Sequence, residues 1–156
     1  MEMSQTPASD RPLSMSRYTT FFPGVFLAIA TLLFVWGFLG VVEYAFPSVQ
    51  IGLQNPKFPA GLQFLHFASI LATGGIFLAG YLVRWRQTPF ATTLMYAVLA
   101  TLCFIETVDF EAFGGGPTRF IPMALEYAAY IGLSAYLLRA RKSREYFRQG
   151  QTGSKA

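Results

Sequence analysis

The sequence predicts an all-α fold, an integral membrane antiparallel four-helix bundle. Three observations point there: four apolar stretches of bilayer-crossing length, connections marked by Pro and Gly, and basic residues segregated to alternate connections. Charged residues make up 13% of the 156-residue chain, about half the roughly 25% of a soluble domain, and mean hydropathy is +0.41. The length suits a single domain. Cys103 is the only cysteine, so an intramolecular disulfide and a multi-cysteine metal site are both excluded.

Residues 1–17 are rich in Ser, Thr, Pro and charge and read as a flexible N-terminal tail. The helical domain is expected over 18–140. A hydrocarbon core of about 30 Å takes roughly 20 apolar residues in a helix, and four runs meet that length. The first, Tyr18 to Val42, has no charged residue and ends at Glu43. It is about twice as long as a signal-peptide core, and no cleavage pattern follows it. The second, Phe58 to Val83, holds His66 as its single titratable group apart from Tyr81. The third, Gln87 to Ile105, is followed at once by Glu106, and the fourth, Phe120 to Leu138, contains Glu126.

The connections agree with this division. Pro47, Pro56 and Pro59 bracket the first loop. The second is the short Arg84-Trp85-Arg86-Gln87-Thr88-Pro89, with Pro89 suited to an early helical position. Gly114-Gly115-Gly116-Pro117 ends helical structure in the third. It lacks the Gly-Lys-Ser/Thr that completes a phosphate-binding loop. Short connections place consecutive helices as antiparallel neighbours. Residues 141–156 read as a basic C-terminal tail.

Charge then orients the chain. Ten of the twelve Lys and Arg side chains fall on the side of the termini; Lys57 and Arg119 fall on the other. By the positive-inside rule both termini are cytoplasmic, as in a bacterial-type inner membrane. With three acidic residues against ten basic ones the inner side carries +7; with five against two the outer side carries −3, which accounts for the net +4. Arg139, Arg141, Lys142 and Arg144 form a juxtamembrane group suited to anionic lipid headgroups. Because these charges flank a span and do not line a separate basic domain, nucleic acid is excluded as the partner they serve.

The acidic outer layer carries the chemistry. Glu43, His66, Glu106, Asp109 and Glu126 come from all four spans yet reach a similar depth, accompanied by the Tyr127 and Tyr130 hydroxyls. A charge inside the bilayer is expensive, about 2.5–3.5 kcal/mol at its centre and less toward the surface. Groups at that depth therefore call for partners or a wet cavity. One reading is structural: the carboxylates are solvated at the interface, or paired with Arg119, His66 and the Tyr127 and Tyr130 hydroxyls, and only set helix register. Another is a proton-relay or small-ligand pocket, since aromatic residues crowd the same layer and suit an apolar ligand with a polar handle, such as a quinone, lipid, sterol or pigment. A metal, haem or chlorophyll at His66 is a third, although a di-iron bundle uses paired Glu-x-x-His motifs and this chain has one histidine. The residues identify no cofactor, and no nucleophilic triad motif is present. In span four, Ala124-x-x-x-Ala128-x-x-x-Gly132 forms a ridge of small residues, read first as intrachain packing and second as an oligomer interface.

The run Leu65-His66-Phe67-Ala68-Ser69-Ile70-Leu71-Ala72-Thr73-Gly74-Gly75, the Gly115-Gly116-Pro117-Thr118 loop and Ala124-Leu125-Glu126-Tyr127 together resemble the DoxX-like superfamily of small four-helix membrane proteins. The likeness spans Pro23 to Leu138, and the second span lacks the arginine often found in that family's Gly-rich run. It implies the four-helix fold and no single activity. The expected function is that of a non-catalytic accessory subunit or small-ligand-binding component of a membrane complex or homo-oligomer, in contact with membrane lipids. The rival is a proton-coupled transporter or membrane enzyme using the outer Glu/His/Asp group.

Overall fold

The computed structural model describes residues 15–111 and 116–148, whose regular structure is entirely helical. The helices are α1 (Met15–Ala45), α2 (Ala60–Leu82), α3 (Thr88–Val108), α4 (Phe120–Arg139) and α5 (Arg141–Arg148), and a 3-10 turn (Pro117–Arg119) precedes α4. The first four are long and apolar enough to cross a membrane. At 1.5 Å per residue even α4, the shortest of them at 20 residues, spans about 30 Å. Helix α1 begins inside the stretch read as a tail; residues 1–14 lie outside the described residues. It also runs past Glu43 to Ala45, stopping where Pro47 removes a backbone donor. Helix α3 likewise carries Glu106 inside its last turn, beyond the expected end at Ile105.

Glycines set how closely α1 and α2 approach. A Cβ at Gly37 would lie 2.7 Å from Leu71 Cα, and one at Gly74 would lie 2.5 Å from the Ala30 carbonyl. Such distances admit no side chain, so the two backbones meet through glycine and gain close van der Waals contact along the seam. The ridge in α4 behaves differently. Ala124, Ala128 and Gly132 are exposed, and a Cβ at Gly132 would meet nothing within 4 Å. The intrachain role expected for that ridge is therefore incorrect, because α4 turns its small residues outward. Leu137 is the only buried residue described in α4.

Aromatic rings tie the helices together. Phe26 of α1 stacks at 5.7 Å on Phe77 of α2 and at 5.3 Å on Tyr136 of α4. Tyr96 of α3 stacks on Tyr130 of α4 at 5.3 Å, and the Tyr127 hydroxyl donates to the Ala100 carbonyl at 2.8 Å. Offset ring pairs of this kind add about 0.5–1.5 kcal/mol beyond the area they bury.

Both connections at the basic end are ordered. At the end of α2, Arg84 adopts φ +51° while its N–H bonds to the Tyr81 carbonyl and the Trp85 N–H bonds to Gly80. This paired closure satisfies the last helical carbonyls and turns the chain directly into α3. At the end of α4, Ala140 becomes extended (ψ 126°) and breaks the helix. The Ser143 hydroxyl then donates to the Leu137 carbonyl at 2.9 Å. Phe147 is buried, and Tyr146 stacks on Tyr81 at 4.7 Å while donating to its carbonyl. Part of the segment read as a C-terminal tail is thus a helix docked against the ends of the longer ones.

Candidate functional site

The acidic layer does not form a single cluster: its residues make separate contacts. Glu43, buried near the end of α1, accepts hydrogen bonds from the backbone N–H groups of Gly52 and Leu53, each at 2.8 Å. Both carboxylate oxygens are engaged, so Glu43 closes the α1–α2 loop. Gly52 sits at φ +86°, a left-handed conformation that favours glycine and lets two successive N–H groups face one carboxylate.

The central contact joins α2 to α3. His66 Nδ1 lies 2.5 Å from Glu106 Oε1, with the glutamate side chain 9% exposed and the imidazole 26%. Neither atom has another hydrogen-bonding partner among the described residues. Facing a carboxylate, a neutral imidazole keeps its proton on Nδ1, which leaves Nε2 as an acceptor; in the protonated ring Nε2 becomes a donor. A proton shared by this pair changes what the remaining nitrogen can offer a ligand.

The pair borders a cavity of about 160 Å³. Trp36, Phe58 and Phe67 supply aromatic wall, Leu53 adds aliphatic wall, and Asn55 and Gln63 join His66 and Glu106 as polar lining. Gln63 is buried and directs its amide nitrogen to the carbonyls of Asn55 and Phe58, holding the loop over the start of α2. Sequence reasoning did not assign Asn55 or Gln63 to the site. The available signal was spacing: Gln63 precedes His66 by three positions and shares its helix face.

The other predicted residues make different contacts. Glu126 is half-buried, 3.5 Å from the Tyr130 hydroxyl and beside the Cys103 thiol, at the α3–α4 contact. Tyr127 is used by the Ala100 carbonyl. Asp109 is exposed at the C-cap of α3, and Arg119 pairs with Glu111 at 3.2 Å. His66 and Glu106 supply two potential metal donors, fewer than the three protein ligands of a catalytic zinc site. No group of three or more His, Cys, Asp or Glu suited to a metal occurs among the described residues.

At the basic end, Arg139, Arg141, Lys142 and Arg144 are all exposed. Arg141 is held by Glu145 at 2.7 Å, and that hydrogen bond raises the guanidinium pKa still further. No known protein family, characterised protein or solved structure matches the chain.

Proposed function

We propose that this chain is an integral membrane protein of four antiparallel spans that binds a small apolar ligand with a polar handle in the His66–Glu106 cavity. The observation that carries this reading is the charged or proton-sharing pair on the wall of an aromatic cavity, at a depth where unpartnered polarity is expensive. The volume falls below the roughly 300–1,000 Å³ of sites that enclose a drug-sized molecule. It fits the ring or headgroup of a quinone, lipid or pigment whose remainder lies outside. The basic bias of alternate connections supports cytoplasmic termini in a bacterial-type inner membrane.

The outward ridge of α4 supports a role as an accessory component of a larger assembly, because exposed small residues permit close approach by another helix. The resemblance to DoxX-like proteins agrees with this architecture. Proton coupling is the second reading, and it rests on the same His66–Glu106 pair. Native mass spectrometry from mild detergent tests the binding proposal. The wild-type chain is expected to carry a stoichiometric small molecule that Glu106→Gln and His66→Ala lose while still inserting. Equal retention by all three, or none by the wild type, would sink it.

A further inference from the structure

The basic end holds a second cavity, formed where the α2–α3 turn, the end of α4 and α5 meet. Its volume is about 250 Å³, and Arg86 and Arg144 are its charged lining. Neither arginine pairs with a carboxylate among the described residues, in contrast to Arg141. Two uncompensated guanidinium groups beside apolar walls make a site that favours an anion.

We infer that this cavity binds the phosphate of an anionic phospholipid, with Arg86 and Arg144 as its cations. The walls argue for a lipid over a free anion. Pro89 and Phe147 are buried beneath the site, while Phe90 is 63% exposed and Leu138 43%. Leu94, one helical turn beyond Phe90, is also exposed, as is Ile131, two turns before Leu138. These rows lead away from the charges along α3 and α4 and offer acyl chains an apolar track. A hydrated inorganic phosphate gains nothing from them, and its other oxygens meet no donors on the apolar wall.

The arginines are placed by ordered structure. The closure at Arg84 turns the chain so that Arg86 precedes α3 by two residues. Ser143, Tyr146 and Phe147 dock α5 and so fix Arg144, and the Arg84 guanidinium lies 5.3 Å from the Tyr146 ring centroid. Of the four cations expected to meet headgroups, Arg144 alone lines this cavity, and Arg86 joins it from another connection. Basic pockets between spans at a cytoplasmic face are suited to such headgroups. The inference rests on the membrane reading above and is independent of the His66 cavity.

The test uses the full chain reconstituted in phosphatidylcholine vesicles containing phosphatidylglycerol, then extracted gently for native mass spectrometry. One phosphatidylglycerol is expected per chain. Arg86→Gln and Arg144→Gln should each weaken its retention roughly tenfold or more, the loss of a charge-assisted hydrogen bond. Arg141→Gln should reduce it by no more than about fivefold, the effect of diffuse surface charge. Equal losses in all three variants, or no loss in the first two, would overturn the inference. Displacement of the lipid by millimolar inorganic phosphate would overturn the lipid assignment. Alkaline carbonate separates the two proposals: release of the chain from vesicles refutes the membrane reading itself, whereas a retained chain without phosphatidylglycerol preference refutes only this site.

Discussion

Glu43→Gln alters the closure of the α1–α2 loop at a single point. In the native chain two carboxylate oxygens each accept one backbone N–H at 2.8 Å, from Gly52 and Leu53. Glutamine keeps one acceptor and turns an NH₂ donor toward the other N–H, so one charge-assisted bond is lost and a buried donor is left unmatched. Hydrogen bonds to charged groups contribute about 1.5–3 kcal/mol. A local opening free energy reduced by that amount speeds amide exchange at Gly52 and Leu53 by roughly 10- to 150-fold. The assay is hydrogen–deuterium exchange of the detergent-solubilised protein, followed on peptides covering residues 46–59. Exchange in α2 and α3 should stay unchanged, because those helices do not depend on the latch. Leu53 and Asn55 also line the His66 cavity, so the same variant should loosen any bound ligand. Unchanged exchange at Gly52 and Leu53 would refute the latch, and acceleration throughout the chain would show that Glu43 supports the whole fold instead.

Two further outcomes follow from the packing and the pair. His66→Ala and Glu106→Gln should each lower thermal stability, while the double variant loses less than their sum. A coupling of about 0.5–3 kcal/mol is expected for groups in direct contact, and strict additivity would mean that the 2.5 Å approach carries no energy. Gly37→Ala and Gly74→Ala should each destabilise by about 1–3 kcal/mol through overpacking of the α1–α2 seam. Gly132→Ala, facing open space, should be neutral or stabilise by up to about 1 kcal/mol through helix propensity. Denaturation of the three glycine variants in one detergent decides the comparison, and a uniform effect would contradict the seam.

Hydrophobic run length and the Pro and Gly breaks make the four long helices legible in the sequence. These are local properties: a helix satisfies its own backbone, so about 20 apolar residues announce its existence, and its ends only to within a few residues. The residues of the acidic layer were legible for the same reason, since Glu43, His66, Glu106, Asp109 and Glu126 stand out against apolar surroundings. Their pairing was legible only in part: His66, Arg119 and the Tyr130 hydroxyl stand out as carboxylate partners, but not which carboxylate each one meets. Glu43 reaches a loop nine and ten positions away, and His66 meets Glu106 across two helices. The rotation of each helix about its axis decides such contacts, and near-uniform hydrophobicity leaves that rotation almost unmarked in sequence. The same ambiguity hid the outward face of Ala124, Ala128 and Gly132. The docking of α5 through Tyr146 and Phe147 was missed for another reason: eight residues, six of them polar, are too short a run to announce a helix. Sequence alone determined which segments are apolar helices and which residues had to find partners. Tertiary structure decided which partners they found, because side-chain packing breaks a symmetry that hydrophobicity cannot.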